Sequence, residues 1–219
     1  MPPLSAGPAA GSRGLLTVAG VGQTRGVTDL VDLGPAGERL LAVAANVDDA
    51  GLGDPTPCEG RTVGQLVQHL VGLTTAFRAA ADKDFGPLTD TSPDVGGWPD
   101  LQPGWRDALG AQVPALVAAW RNPEAWEGMT RVGGVDLPGQ VGGLVALDEI
   151  VLHGWDLARA TGQSYDCDDA TAHACMAFVG GFDEGGTPGL FGPSVAVGPG
   201  ASAFERVLAR SGRDPRWSR

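Results

Sequence analysis

Glu149 and His153 are the sequence's clearest candidate pair for binding a metal ion. They stand four residues apart in a segment with helical apolar spacing. Both side chains therefore fall on one face of a helix, with β carbons about 5–6 Å apart. Asp156, three residues further along, shares that face. A Glu–His pair at this spacing is also a common surface ion pair, so the spacing alone does not identify a ligand set.

His69 adds a second imidazole from another predicted helix. It lies beside Leu66 and Leu73 on an apolar face, where an imidazole without a hydrogen-bond partner is costly. One interpretation is a core histidine bonded to a carbonyl or an acid. The other is a ligand set of His69, Glu149 and His153 in a bundle core. Such nitrogen and oxygen donors suit zinc or nickel, and three protein ligands leave one coordination position open, as in catalytic zinc sites.

Three further side chains have chemical potential but weaker support. Cys58 lies in a proline-bounded loop and is either a thiol ligand, a nucleophile or a packed turn residue. Trp155 either lines a substrate pocket next to His153 or belongs to the core. His173 lies among small residues and is interpreted as structural. The glycine pairs match no phosphate-binding loop.

The elements that must position these residues are mainly helical. Residues 82–104 form a long connection rich in Pro, Gly and Asp, and Gly133-Gly134 predicts a small hairpin turn. Four main helices joined by a long second connection predict an all-α bundle with a crossover. Apolar periodicity and capping signals place the four main helices and two shorter C-terminal ones at residues 35–47, 62–81, 105–120, 139–161, 169–179 and 201–211.

The chain divides into two parts by composition. Residues 1–27 are rich in Gly, Ala, Pro and Ser, which predicts a disordered leader or a start codon placed too early, with the true start near residue 28. Residues 28–219 are predicted to form one metal-binding domain with a C-terminal extension. The leader lacks the cationic start and apolar stretch of a signal peptide. Three cysteines without CxxC spacing fit a reducing cytoplasm.

Charge excludes two classes of partner. The 15 Lys and Arg residues against 26 Asp and Glu residues give a net charge of −11. That balance repels phosphate backbones and anionic lipid, so neither nucleic acid nor a membrane surface is an expected partner. No apolar run approaches the roughly 20 residues of a spanning helix.

Several motifs together resemble one known family. They are TPCEGRTV at residues 56–63 leading to LVQHL at 66–70, EIVLHGWDLARATG at 149–162, FGPSV at 191–195 and DPRW at 214–217. In this order they resemble the DinB-like family of mycothiol-dependent maleylpyruvate isomerase N-terminal domains. The last two stretches are similar to an actinobacterial-type subfamily described only as metal-binding. The likeness covers residues 33–217.

The resemblance implies a DinB-like four-helix bundle with a small hairpin and short C-terminal helices. It implies a divalent metal of the zinc type, with His69, Glu149 and His153 as its ligands. It also implies a small thiol such as mycothiol as cosubstrate, acting on an electrophile. Two departures stand out. Arg61 replaces the group's usual tryptophan, and the residues after Gly162 do not match the isomerase's separate C-terminal domain, which puts maleylpyruvate isomerisation itself in doubt.

Two functions follow. In the first, the chain is a metal-dependent enzyme that uses a small thiol in transfer or isomerisation, and Asp156 orients His153 or binds substrate. In the second, the metal is structural and the protein serves in partner binding or a stress response. A fourth ligand, Cys58 or Asp156, favours the structural metal, whereas an open position facing a pocket favours the enzyme. The sequence specifies neither the substrate nor the oligomeric state.

Overall fold

The computed structural model describes residues 30–91 and 97–219, so the predicted leader at residues 1–27 lies outside the described part. Within these ranges the chain is helical apart from one two-stranded hairpin and a short 3-10 turn at Asp49–Gly51. The elements in chain order are α1 (Gly34–Ala45), α2 (Val63–Ala81), α3 (Pro87–Asp90), α4 (Trp105–Trp120), α5 (Pro123–Trp126), β1 (Met129–Val132), β2 (Val135–Pro138), α6 (Gly139–Ala160), α7 (Asp169–Val179) and α8 (Ala203–Arg210).

Helices α1, α2, α4 and α6 form a four-helix bundle. Helix α2 packs against α4 and α6, and α1 packs against the same two helices from the other side. Their apolar faces meet in one core, and several large side chains there are fully buried: Leu40, Leu66, Leu70, Leu116, Trp120, Leu147 and Ile150. The predicted all-α bundle is confirmed. The predicted long connection at residues 82–104 joins α2 to α4, which pack on each other, and contains the short helix α3.

Helix α2 starts where the sequence predicts, because its first turn is capped from both directions. The Thr62 hydroxyl accepts a hydrogen bond from the Gln65 backbone at 3.3 Å, and the Gln65 side chain accepts one from the Thr62 backbone at 3.2 Å. This capping box satisfies two backbone donors that a helix start leaves free. It fixes the helix start and therefore the face on which His69 lies.

The hairpin closes through the predicted Gly133-Gly134 turn. Both glycines have positive φ, at 58° and 80°, as a two-residue turn between twisted strands requires, and Val132 pairs with Val135 across it. The hairpin and α5 then pack closely on α6. At Gly142 a β carbon would lie 2.6 Å from the Thr130 methyl group, and at Gly143 it would overlap the Trp126 ring.

The C-terminal part folds back over α6. Helix α7 packs on α6, and α8 packs on α7. Helix α8 begins at Ala203 rather than at residue 201, because Ser202 and Glu205 form a capping box. After α8 the chain returns to the inner face of the bundle. Among the described residues, no helix combines the length and apolarity needed to cross a bilayer.

Candidate metal centre

The three predicted ligands converge from two helices. His69 projects from α2, and Glu149 and His153 project from α6; one donor atom of each lies within 4.8 Å of the others. Both histidines are 8% exposed, whereas the Glu149 side chain is 27% exposed. Ligands at about 2.0–2.2 Å from one ion lie only a few ångströms apart, so the cluster has the size that a single divalent ion needs.

His153 lies between two carboxylates. Its Nε2 is 3.1 Å from Glu149 Oε2, and its Nδ1 is 2.9 Å from Asp156 Oδ2. When Nδ1 carries the proton and donates to Asp156, a neutral ring directs its Nε2 lone pair at the Glu149 carboxylate. Two acceptors then face each other, and only a proton or a cation between them relieves the contact. The chemistry of the donor set therefore fits a divalent cation.

Arg213 reaches this cluster from the segment that follows α8. Its Nε donates to Asp156 Oδ1 at 2.8 Å and its Nη2 donates to Asp156 Oδ2 at 2.7 Å, the fork geometry typical of strong arginine–carboxylate pairs. Its Nη1 also donates to the Ser211 hydroxyl at 3.2 Å. Arg213 was not predicted as part of the site, because an arginine in a polar C-terminal segment carries no periodic signal.

Cys58 contacts the same carboxylate. Its thiol donates to Asp156 Oδ2 at 3.1 Å, and Sγ lies 3.7 Å from His153 Nδ1. Cys58, His153 and Asp156 also form a donor cluster within 4.8 Å, but they meet at the Nδ1 edge of the imidazole, away from Glu149. Burial, followed by the negative charge of Asp156, raises the pKa of the Cys58 thiol, which keeps it protonated.

The electrostatics of the cluster differ between its members. Burial lowers the pKa of His69 to about 4, with the neighbouring His153 adding to the shift, so His69 is neutral at physiological pH. Burial opposes the charged forms of His153 and Asp156 as well. For His153 it is outweighed by the contacts with Asp156, Cys58 and Glu149. For Asp156 it is outweighed by the charge and hydrogen bonds of Arg213 together with the contact to His153. The pKa of His153 is therefore raised well above its ordinary value, and that of Asp156 is held below its usual range.

Trp98 covers one face of His69. The two rings stack with centroids 4.0 Å apart and planes 7° from parallel, and the Arg61 guanidinium carbon lies 5.1 Å from the Trp98 ring centre. The other aromatic and histidine candidates lie elsewhere. Trp155 is 3% exposed within the bundle core. His173 is exposed on α7, where its ring contacts the Asp169 carbonyl at 2.6 Å.

A cavity of about 1010 Å³ opens beside the cluster, with His69 and Glu149 in its wall. Its other walls come from α2, the hairpin, the start of α6 and the region around α7. Cys58, His153 and Asp156 do not line it. The donor set thus has one side directed at a space large enough for a small molecule.

The chain has relatives in sequence among the curated proteins. The chain is 30% identical over 137 residues to two curated proteins of Mycobacterium tuberculosis, both uncharacterised: MT0763 of strain CDC 1551 / Oshkosh and Rv0738 of strain H37Rv. Each alignment covers 63% of this chain and 69% of the relative.

Two solved structures are similar in fold. The crystal structure of the mycothiol-dependent maleylpyruvate isomerase superposes with a TM-score of 0.54 at 20% identity, covering 68% of this chain and 67% of that one. A histidine-to-alanine mutant of that isomerase gives 0.52 at 19% identity, with the same coverage. The model of the mycothiol maleylpyruvate isomerase N-terminal domain family matches residues 33–158. This match spans more than half of the chain, and the chain therefore belongs to that family.

Proposed function

We propose that this protein is a cytoplasmic, divalent-metal-dependent enzyme that uses a small thiol of the mycothiol type to transfer or isomerise an electrophilic small molecule. The observation that carries the proposal is the convergence of His69, Glu149 and His153 within 4.8 Å of one another, beside a cavity of about 1010 Å³. Membership of a family named for a mycothiol-dependent isomerase supports the choice of thiol. Zinc is the metal that best suits two imidazoles and one carboxylate.

Each residue has a distinct part in this proposal. His69 stays neutral because burial depresses its pKa to about 4, so its lone pair is available to a metal at physiological pH. His153 would hold the metal through Nε2, giving up the proton that its raised pKa retains in the metal-free protein, while Asp156 holds the opposite ring nitrogen at 2.9 Å. When bound, a divalent ion lowers the pKa of a coordinated thiol and so supplies a thiolate nucleophile near neutral pH. The cavity holds the electrophile and limits its access to water.

The geometry favours an open coordination position over a closed structural site. Cys58 and Asp156, the two candidates for a fourth ligand, both contact His153 at Nδ1, whereas the proposed metal lies at Nε2. Asp156 is also engaged by two hydrogen bonds from Arg213. The cavity, by contrast, exposes His69 and Glu149. A thiol and a substrate can therefore approach from the cavity side.

The decisive experiment loads the purified full chain with cobalt in place of zinc and titrates in mycothiol or a simple thiol analogue. Thiolate ligation produces a charge-transfer absorption band, which we expect to appear and to saturate. Glu149→Ala should lose both the metal and the band, whereas His173→Ala, outside the cluster, should keep both. A flat spectrum at millimolar thiol with cobalt still bound would reject the thiol enzyme and favour the structural metal.

A further inference from the structure

The walls of the cavity are predominantly apolar. Side chains from α2, α3, the hairpin, α7 and the turn after α7 face the same space, and representative ones are Leu73, Phe77, Leu88, Val135, Phe178 and Phe182. Polar side chains are fewer in the wall, and His69 and Glu149 belong to the metal centre. An apolar cavity with a few polar groups at one end is the usual form of a small-molecule site.

Apolar side chains also extend to the mouth of the cavity. Six large hydrophobic residues are exposed in the described part of the chain, and three of them line this cavity: Leu88, Val135 and Leu190, at 52%, 38% and 49% exposure. Exposed apolar side chains that occur singly need no explanation, but a group of them around one opening indicates a binding site for an apolar ligand.

The charge around the cavity is negative. Among the described residues that line it, the charged side chains are Asp136 and Glu149, and none is Lys or Arg. The nearby Arg131 is already neutralised, since its guanidinium contacts Asp136 at 2.7 Å and Asp90 at 3.0 Å. A carboxylate that enters this space loses its hydration and finds no cationic side chain among the described lining residues, which disfavours its binding.

We propose that the electrophile accepted here is a neutral, apolar molecule rather than a carboxylate. This inference rests on the proposed function in one respect: the cavity ligand is a substrate only if the protein is the proposed enzyme. A bound divalent ion would not supply the missing cationic partner. Glu149 offsets part of the ion's charge, and the open coordination position is needed for the thiol. Apolar burial at about 25 cal/mol per Å² instead provides the affinity.

The test uses two probes with one ring skeleton and different charge, 2-naphthoate and its methyl ester. Calorimetric titration of the full chain, metal-free and with metal plus a saturating small thiol in the open coordination position, is expected to show the ester binding roughly tenfold tighter or more. Gly72 lines the cavity and a β carbon there meets nothing within 4 Å, so Gly72→Leu should fill the space and weaken ester binding. Gly110, equally open but outside the cavity, provides the control Gly110→Leu.

A charge-insertion pair tests the electrostatic argument directly. Val135→Lys places a cation in the wall and should reverse the preference towards 2-naphthoate. Met129→Lys, on the other strand of the hairpin at 55% exposure and outside the cavity lining, should leave the preference unchanged. Equal or tighter binding of 2-naphthoate to the wild type would overturn the proposal, as would unchanged ester binding in a folded Gly72→Leu protein.

These outcomes are separable from the thiol chemistry. Preferential ester binding together with a flat cobalt spectrum would reject the proposed enzyme while leaving an apolar ligand site. A thiol-dependent cobalt band together with preferential binding of 2-naphthoate would keep the enzyme and reject the neutral substrate.

Discussion

Arg213 donates one hydrogen bond to each carboxylate oxygen of Asp156, at 2.8 and 2.7 Å. The two residues are 57 positions apart in the chain. The Asp156 side chain is fully buried and that of Arg213 is 14% exposed. The segment after α8 is thereby joined to α6 at the residue that contacts His153 Nδ1. Arg213, which lies outside the matched family region of residues 33–158, thus supports the candidate ligand set through Asp156.

Replacing Arg213 by Met is expected to destabilise the fold strongly. The substitution leaves the buried Asp156 carboxylate without its main cationic partner, and breaking one side of a buried ion pair costs about 3–5 kcal/mol. Urea unfolding of the metal-free protein measures the change in the free energy of unfolding. Arg216→Met is the control, since Arg216 pairs with Asp214 at 83% exposure, and its effect should stay within about 0.5 kcal/mol. Similar losses in both variants would contradict a special role for Arg213.

Asp156→Asn is expected to weaken metal binding by roughly 10–100-fold, because residues that orient a histidine ligand contribute that much to affinity. Competition with a chromogenic chelator measures the metal affinity. Asp148→Asn is the matched control on the same helix: burial, followed by the charge of Glu149, raises the pKa of Asp148 well above its usual value. This shift favours the uncharged carboxyl, and no hydrogen bond joins Asp148 to His153, so Asp148→Asn should leave the metal affinity nearly unchanged. A full-affinity Asp156→Asn protein would show that Asp156 does not orient the ligand.

Protein purified without chelator is expected to contain close to one equivalent of zinc or a similar divalent ion. His153→Ala should lose most of it, because two remaining ligands bind weakly. His173→Ala should retain the full amount, since His173 is exposed on α7 and its ring contacts the Asp169 carbonyl of its own helix, outside the cluster. Elemental analysis measures the metal content of each purified protein. If wild type and both variants contained equal amounts of metal, His153 would not be a metal ligand.

The metal-free protein is expected to lose stability through His69 as the pH falls from about 6.5 to about 4. Burial lowers the pKa of His69 from 6.5 to about 4, so in this window the unfolded chain binds a proton there and the folded chain does not. Proton uptake then favours unfolding, by roughly 1.4 kcal/mol for each pH unit. The pKa of His153 is raised, so below 6.5 it is protonated in both states and adds no slope.

Urea unfolding in chelator at about pH 7, 6 and 5 checks this prediction by comparison with His69→Gln. The variant lacks the titrating ring, so its stability relative to the wild type should improve as the pH falls. A constant difference between the two proteins would mean that His69 is not held neutral by burial.

The sequence predicts the local features of this fold well. The capping box of Thr62 and Gln65, the Gly133-Gly134 turn and the main helices all depend on residues close together in the chain, and the structure confirms them. Helices α3 and α5 were not predicted, because four residues are too few to display a helical period. The proximity of His69 and Glu149 could also be predicted, because the apolar faces of their two helices must meet in the core of the bundle.

The parts that escaped prediction depend on distant residues. Arg213 and Trp98 lie in irregular segments between or after the helices. The spacing of residues in such segments does not indicate which of them reach the site. The cavity is a space between several elements, so no single motif encodes it. Trp155 shows the opposite difficulty: it lies only two residues after His153, yet its side chain is buried in the core, because helical residues two positions apart face different directions.

The stacking of Trp98 on His69 also has an experimental consequence. An indole ring 4.0 Å from an imidazole and nearly parallel to it senses any charge placed on that ring, since a cation near an aromatic face perturbs its π electrons. Occupation of His69 by a metal or a proton should therefore alter the ultraviolet fluorescence of Trp98. The difference between the emission of wild type and of Trp98→Phe isolates this one signal from the other five tryptophans. The protein thus contains a built-in optical reporter for its own candidate metal centre.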